Sequence, residues 1–290
     1  MWAVRLKTLS RASRRLHIAQ PTISKRIQEL DSECGFAVFR KMGRSVDLTP
    51  RGEALYQLTE QIFALLDQVE EIRGMEDSPR RKVGIGVTEL TAYTWLPRLV
   101  NLLAERYPTI DPHVSVEHSV TLLKKLQAGE LDLVVCPTSA SDASLTDLPV
   151  AKVAFSLLGS PRLCNADQTY DGAELSRIPF LTHGHGGSEV LQHWIRDLGA
   201  EPQQVIEVDS VAAQVGMAIA SMGVTLLPRD MFRFLVTSGS LVEVKTRVAA
   251  PAVHYRVAYR RHERGSLIDR VAQITREACD FSRSNQVWKT

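Results

Sequence analysis

Residues 9–30 read LSRASRRLHIAQPTISKRIQEL, and this stretch predicts two short helices joined by a tight turn. Ser10 is a candidate cap for the first helix, and residues 17–19 form the turn. The second helix is expected to begin at Gln20, because Pro21 suits the first helical turn, where its missing N–H is no loss. Apolar residues at helical spacing line one side of the pair, and the opposite side of the second helix is polar. The pattern predicts a helix-turn-helix with a hydrogen-bonding face.

A small two-stranded wing is predicted after these helices, where two apolar runs flank the basic residues 40–44. The first 51 residues contain 11 Lys and Arg against 4 Asp and Glu, whereas the rest of the chain contains 24 against 29. A basic head on a mildly acidic body is typical of a nucleic-acid-binding domain joined to a domain with another task. On charge alone, a basic surface that only meets solvent is an equally good interpretation.

A long helix is predicted from Pro50 to about Arg73, with Thr49 as its cap. Six apolar residues recur along it at intervals of three and four, the spacing of a helix that pairs with another helix. These residues are Leu55, Leu58, Ile62, Leu65, Val69 and Ile72. The alternative is a stripe packed on its own domain, but the apparent linker that follows offers no partner nearby. We therefore expect this helix to form a dimer.

Strands and helices alternate from residue 82 onward, which predicts a parallel sheet with crossover helices. The expected strands are 83–87, 113–117, 131–136, 150–158, 205–208, 224–227 and 255–259. The expected helices are 91–107, 119–128, 188–198, 210–221 and 266–281. The predicted fold class is therefore α/β after the N-terminal head.

Several classes of protein are not expected from this sequence. It contains neither a GxSxG nucleophile turn nor a GxxxxGK[ST] phosphate loop, so we expect no enzyme and no cofactor. No apolar run approaches the roughly 20 residues of a membrane helix, and no signal peptide is evident, so the cytoplasm is the expected location. The cysteines are too scattered for a disulfide framework or a metal site; they are Cys34, Cys136, Cys164 and Cys279.

The stretch 9–30, together with Gly35 and LTPRG at 48–52, resembles the N-terminal domain of LysR-type transcriptional regulators. LQAGELDL at 126–133 and MGVTLLP at 222–228, with ERYP at 105–108, are similar in order and spacing to the effector-binding domain of that family. The resemblance implies a winged helix-turn-helix, a long linker helix and a two-lobed α/β domain resembling periplasmic binding proteins, with a small inducer held between the lobes. It also implies dimers of dimers on double-stranded DNA and contact with RNA polymerase.

The resemblance implies that the chain has three parts: a DNA-binding domain at 1–50, a dimerisation helix and hinge at 51–81, and an effector-binding domain at 82–290. Within the effector-binding domain, lobe I would comprise about 83–155 and 253–290, and lobe II about 156–252. Ala19 stands where members of the family have a Ser or Thr cap on the second helix. A missing cap of this kind costs about 1 kcal/mol.

If the second helix enters the major groove, its N-terminal residues approach the edges of the bases. The expected base-reading residues are Gln20, Pro21, Thr22, Ser24 and Lys25. The basic residues of the wing and of the linker-helix start would bind phosphates instead, adding affinity without sequence information. These are Arg40, Lys41, Arg44 and Arg51.

Four polar segments lie where a strand ends and a helix begins, which is where ligands bind in open α/β sheets. They are 88–91, Ser119, 183–188 and 209–211. By position the resemblance assigns inducer contacts to Thr88, Thr91, Ser119, Thr138, His185, Gly187 and Ser188. Small polar residues at helix starts favour a carboxylate or a similar anion as the effector. Two alternatives stay open: a thiol-based redox regulator that uses Cys136 and Cys164, or a small-molecule binding protein without a regulatory role.

Overall fold

The computed structural model describes residues 3–4, 8–16, 18–43, 45–73, 81–140, 142, 144–182, 189–261 and 266–282. The chain divides into two compact units. The first unit comprises Met1–Val87, Val100–Leu148 and Val257–Glu277, and the second comprises Thr88–Leu99, Pro149–Arg256 and Ala278–Thr290. In the described parts of the chain, the structure contains no helix with the length and hydropathy needed to span a membrane.

The predicted helices and strands occur in the predicted order, and the structure adds short elements that were not predicted, among them Gly172–Ser176, Phe180–Thr182 and Arg233–Thr237. The helices are α1 (Leu9–Leu16), α2 (Gln20–Cys34), α3 (Pro50–Arg73), α4 (Glu89–Tyr93), α5 (Leu96–Arg106), α6 (Ser119–Gln127), α7 (Gly172–Ser176), α8 (Glu189–Asp197), α9 (Val211–Ile219), α10 (Arg233–Thr237) and α11 (Leu267–Ala278). The strands are β1 (Phe39–Met42), β2 (Ser45–Leu48), β3 (Arg81–Val87), β4 (Ile110–Val116), β5 (Leu133–Cys136), β6 (Leu145–Gly159), β7 (Thr169–Tyr170), β8 (Phe180–Thr182), β9 (Val205–Glu207), β10 (Val224–Pro228), β11 (Val242–Glu243), β12 (Lys245–Thr246) and β13 (Ala252–Arg260).

The N-terminal head is a winged helix-turn-helix, as predicted. Helices α1 and α2 pack through a small core that contains Ala12 and Ile23. Strands β1 and β2 form the antiparallel wing, and its tip lies between Met42 and Ser45. Ser10 lies inside α1, which begins at Leu9, so its predicted role as the cap of that helix is wrong. The helix begins two residues earlier than a cap at Ser10 would place it.

The start of the linker helix has the predicted cap. The backbone N–H of Gly52 donates to Thr49 Oγ1 at 3.0 Å, and the Thr49 hydroxyl donates to the Ala37 carbonyl at 2.8 Å. A β-carbon on Gly52 would lie 2.1 Å from the Val38 carbonyl oxygen, so glycine lets the helix closely approach the residue that precedes β1. The cap and the close approach together fix the start of α3 against the wing.

The α/β part of the first unit contains the predicted parallel strands. Strand β3 pairs in parallel with both β4 and β5, and Ile85 faces Val114 on one side and Leu133 on the other. Helix α6 covers this sheet with Leu122 and Leu126, both fully buried. The interior of this unit is therefore formed by side chains from both the sheet and α6.

The sheet in the second unit is mixed, which corrects the expectation of a parallel sheet. Strand β8 pairs in parallel with β9 and β10, but β6 runs antiparallel to β10 and to β11. Parallel strands need a crossover of a dozen or more residues, usually with a helix. Only eight residues separate the end of β5 from the start of β6, so the chain enters β6 without a crossover helix.

The helix predicted at 91–107 is two helices in the structure. Helix α4 ends at Tyr93, and Thr94 has a backbone φ of −107° and ψ of −86°, outside the helical region. The Thr94 hydroxyl donates to the Leu90 carbonyl at 2.6 Å, and its backbone N–H donates to the Thr91 carbonyl at 3.2 Å. Thr94 thus provides hydrogen bonds to the last carbonyl groups of α4, and a new helix, α5, begins at Leu96.

Candidate DNA interface and effector-binding residues

Helix α2 exposes most of the residues that were predicted to read bases. Gln20, Pro21, Thr22 and Lys25 are exposed, and Ser24 is half-buried. Ile23, on the opposite side, is buried in the core of the head. The helix therefore presents a polar surface that begins at its first residue.

The N-terminus of α2 has no side-chain cap. Ala19 has extended backbone angles, with φ of −68° and ψ of 143°, and it contributes no side-chain hydrogen bond. Lys25 and Glu29 are both exposed, and the Lys25 Nζ lies 3.8 Å from the Glu29 carboxylate. This weak ion pair leaves the Lys25 side chain able to turn toward a ligand outside the protein. The exposed helix start combines amide donors with a nearby cation, which suits an anionic partner.

The described basic residues next to α2 are held by neighbouring side chains. Arg40 donates to Asp47 across the wing at 3.0 Å, and the guanidinium of Arg51 lies 5.7 Å from the centre of the Phe36 ring. Arg44 lies outside the described residues, as does the side chain of Lys41. Both described arginines are exposed, so they can contact phosphates without leaving their partners.

The apolar stripe of α3 is open to solvent where the structure describes it. Leu55 is half-buried, whereas Leu58, Ile62 and Leu65 are 56%, 56% and 59% exposed. The side chains of Val69 and Ile72 lie outside the described residues, although both residues belong to the helix. Three exposed large apolar residues at this spacing fit a partner helix, and dimerisation stays a prediction.

Ser119 and Thr138 lie around one buried thiol in the first unit. Ser119 opens α6, and the preceding His118 does not cap the helix with its side chain. The Cys136 thiol donates to the Thr138 carbonyl at 3.4 Å. Burial raises the pKa of Cys136 to about 11, although contacts with the Thr138 backbone and the Ser119 side chain lower it. The structure therefore brings these two predicted residues together at the end of β5.

A shallow cavity of about 430 Å³ is lined by Thr138 and by residues of α6. Its lining includes Leu123, Gln127, Ser139, Ala140, Asp142 and Leu145. The amide of Gln127 donates to Asp142 at 3.2 Å, so part of the polar lining is already paired.

Thr88 and Thr91 differ sharply in what they can contact. The Thr88 hydroxyl is half-buried and lies 3.4 Å from the Tyr255 hydroxyl. Thr91 is fully buried, and its hydroxyl has no hydrogen-bond partner among the described residues. In this conformation Thr91 offers no surface to a ligand. His185, Gly187 and Ser188 lie outside the described residues.

The sequence analysis did not identify Glu89, which lies between these two threonines in sequence. Its carboxylate accepts hydrogen bonds from Ser210 and from the backbone N–H of Val211, at the start of α9. The start of α9 lies in a polar segment that was predicted to contact the effector, but the Glu89 carboxylate occupies it. Glu89 stood inside a predicted polar segment, but Ser210 and Val211 lie more than 120 residues away in sequence, so no local pattern could reveal these two contacts.

A winged helix-turn-helix followed by a long helix and an α/β region defines a DNA-binding regulator with a ligand-binding domain. Two family models match the chain: bacterial regulatory helix-turn-helix protein, lysR family, over residues 1–53, and LysR substrate binding domain over residues 76–280. The chain therefore belongs to the LysR family of transcriptional regulators. Proteins of this family bind DNA and a small effector and are not enzymes.

Curated relatives and solved structures agree with this family. The chain is 27% identical over 236 residues to YusT, an uncharacterised HTH-type transcriptional regulator of Bacillus subtilis (strain 168), covering 81% of this chain and 78% of the relative. It is 27% identical to the HTH-type regulator CfxR of Cupriavidus necator, covering 75% and 69%. The crystal structure of ArgP from Mycobacterium tuberculosis is similar in fold, with a TM-score of 0.66 at 18% identity over 96% of this chain and 93% of that one.

Proposed function

We propose that this protein binds specific double-stranded DNA through α2 and that a small effector, bound by its C-terminal domain, changes this binding. The uncapped, exposed N-terminal end of α2 carries the proposal, because it places five polar or base-compatible residues on one accessible surface. A DNA partner also makes the cytoplasm the proposed location. Catalysis plays no part in this function.

The first residues of α2 would read the bases. Gln20 has the two-sided amide that pairs with N6 and N7 of adenine, and Lys25 can donate to guanine. Pro21 and the methyl group of Thr22 can contact thymine methyl groups. Each specific contact of this kind discriminates against a wrong base by roughly 1 to 3 kcal/mol. Ser24, half-buried, would contribute from the edge of this surface.

The basic residues would hold the head on the phosphates. Arg40 and Arg51 are oriented by Asp47 and Phe36, so less conformational freedom is lost when they bind. Lys41 and Arg44, at the tip of the wing, are proposed to act in the same way. These contacts would fix the position of α2 along the duplex, while carrying no sequence information themselves.

Two heads would bind together as a dimer through α3. Burying three exposed leucine and isoleucine side chains against a second copy removes apolar surface from water, which stabilises association. A two-fold dimer places its recognition helices in successive major grooves, about 34 to 36 Å apart. We propose that two such dimers assemble on one regulatory region and that effector binding alters their contact with RNA polymerase.

The effector is proposed to carry an acidic group that the start of α6 receives. The side chain of His118 does not cap this helix, and Ser119 supplies a hydroxyl beside Thr138. Thr88 and the 183–188 segment, with His185, Gly187 and Ser188, complete the proposed contact residues. A thiol switch is not favoured, because burial raises the pKa of Cys136 and of Cys164 to about 11 and keeps both thiols protonated.

Selection of duplexes from the genome of the source organism, followed by salt titrations, tests the DNA proposal. Gln20→Ala should weaken binding to the selected duplex and leave a scrambled duplex unaffected. Arg51→Ala should weaken both equally and reduce the salt dependence. Equal losses for both variants on both duplexes would contradict the assignment of base and phosphate contacts. Failure of the full chain to prefer any duplex would contradict the function itself.

A further inference from the structure

Val38, which lies between α2 and the wing, is hydrogen-bonded on both sides to parts of the head that act on DNA. The residue is buried, and its backbone N–H donates to the Asp31 carboxylate, in the last turn of α2, at 2.8 Å. Its carbonyl accepts from the backbone N–H of Thr49 at 3.0 Å, immediately before α3 begins. This one residue therefore connects the end of α2 to the start of α3.

The side chain of Thr49 adds a second connection between the same elements. Its hydroxyl donates to the Ala37 carbonyl at 2.8 Å and accepts from the backbone N–H of Gly52, in the first turn of α3, at 3.0 Å. We name Asp31, Ala37, Val38, Thr49 and Gly52 the α2–α3 junction. Because a β-carbon on Gly52 would lie 2.1 Å from the Val38 carbonyl oxygen, α3 also touches this junction directly. A change in the angle between α2 and α3 would break at least one of these hydrogen bonds.

The angle at this junction determines where a dimer places its two α2 helices. The apolar stripe of α3 begins at Leu55, three residues after Gly52, so the surface proposed to pair follows the junction directly. In a two-fold dimer the DNA-reading helices lie about 34 to 36 Å apart, which puts each about 17 Å from the symmetry axis. A rotation of about 10° at that distance moves α2 by roughly 3 Å, close to the rise of about 3.4 Å between successive base pairs. A small change of angle would therefore displace α2 from its half-site by nearly one base pair.

We propose that Asp31 and Thr49 are positioning residues for DNA binding, which fix the angle between α2 and α3 and thereby set the distance between half-sites that the dimer accepts. The inference rests on the proposed DNA-binding function and deepens it. Neither residue touches DNA in this role. Both act through the Ala37–Val38 segment, which joins the helix that reads bases to the helix that pairs.

Duplexes that differ only in the spacing of their half-sites test this inference on the full chain. One or two base pairs are added to or removed from the centre of the selected duplex, and a duplex with a single half-site serves as the reference. The unaltered protein should lose affinity about tenfold or more when two base pairs are added, because its two α2 helices are held at one spacing. Asp31→Ala and Thr49→Val should lose no more than about threefold on the same duplex, and both should retain their affinity for the single half-site.

Asp31→Asn and Thr49→Ser are the matched controls. Asparagine removes the same negative charge as alanine but keeps an oxygen that can accept from the Val38 N–H, so it separates the hydrogen bond from the charge. Serine keeps the hydroxyl that accepts from Gly52 and donates to Ala37. Both controls should retain the spacing preference of the unaltered protein.

The inference is overturned if Asp31→Ala keeps the spacing preference of the unaltered protein, or if Asp31→Asn relaxes it as much as Asp31→Ala does. Loss of binding to the single half-site by both Asp31→Ala and Thr49→Val would assign the junction to the folding of the head and would also overturn its positioning role. If the unaltered chain selects no duplex, the proposed function fails, and this inference fails with it. A selected duplex with an unchanged spacing preference contradicts the inference alone, so the two failures are distinguishable.

Discussion

The starts of α2 and α9 differ in whether side chains accept hydrogen bonds from the first N–H groups of the helix. At α2, Ala19 leaves the first amides without a side-chain partner, although a Ser or Thr there would stabilise the helix by about 1 kcal/mol. At α9, Ser210 and Glu89 both supply oxygen atoms to the helix start. An exposed helix start is therefore available to an anion from outside only where the chain itself supplies none. The start of α2 is therefore open to the DNA phosphates that we propose it binds, whereas the start of α9 already has oxygen partners from its own chain.

Charged side chains in these regions also differ in whether their partners lie inside the protein. In the head, Lys25 and Glu29 are 79% and 57% exposed and lie 3.8 Å apart. In the α/β part of the first unit, Arg260 and Asp132 are 5% and 9% exposed and 2.9 Å apart. Arg260 also donates to the carbonyls of Leu126 and Leu131, and Asp132 accepts from the backbone N–H of Gly84. The buried charges are paired inside the protein, whereas Lys25 is exposed and accessible to the DNA that we propose it binds.

The largest expected effect comes from breaking the buried pair. Arg260→Leu leaves the Asp132 carboxylate without its cation and frees two carbonyls, so it should reduce the free energy of unfolding by about 3 to 5 kcal/mol. Denaturant unfolding of the full chain measures this loss. Arg106→Leu is the matched control, because Arg106 pairs with Glu277 at 2.6 Å on the surface, where solvent screens the pair, so its loss should cost far less than that of Arg260. Similar losses for the two variants would remove the distinction between buried and exposed charges.

Interactions between near neighbours in sequence were predictable, and those between distant residues were not. Thr49, Pro50 and Gly52 form a local capping pattern, and the structure has this cap. The pairing of Arg260 with Asp132 spans 128 residues, and that of Glu89 with Ser210 spans 121. Sequence periodicity defines which face of an element is buried, but it contains no information about which distant polar group that face will contact. The antiparallel pairing of β6 was missed for the same reason, because it depends on a strand far along the chain.

The second prediction concerns the exposed pair on α2. Lys25→Ala should weaken binding to the selected duplex by roughly 1 to 3 kcal/mol, because a specific contact to a base is lost, while binding to a scrambled duplex changes little. Quantitative DNA-binding titrations measure both. Glu29→Ala is the control, since it removes the partner of Lys25 and one negative charge from the same helix. It should bind DNA as tightly as the unaltered protein or more tightly, and a loss equal to that of Lys25→Ala would indicate damage to the helix.

The third prediction adds a side-chain cap at the start of α2 and removes one from the start of α9. Ala19→Ser should add a cap to α2 and raise the stability of the head by about 1 kcal/mol, with no gain in DNA affinity, because its hydroxyl competes with a phosphate for the same amides. Ser210→Ala should cost less than about 1 kcal/mol, because Glu89 still accepts from Val211. Chemical denaturation and DNA titration of both variants measure these effects. Tighter DNA binding by Ala19→Ser would mean that α2 does not use its free amides.

The smallest expected effect is that of oxidants on the buried thiols. Burial raises the pKa of Cys136 and of Cys164 to about 11, so at neutral pH only about one thiol in ten thousand is the reactive thiolate. Both thiols should therefore react with a thiol reagent slowly in the folded protein and rapidly after unfolding, and the folded rate should rise with pH toward 11. A Cys34→Ser variant removes the half-buried thiol of the head from the measurement. Peroxide should leave DNA binding unchanged, and a reversible loss of binding that Cys136→Ser abolishes would restore the redox alternative.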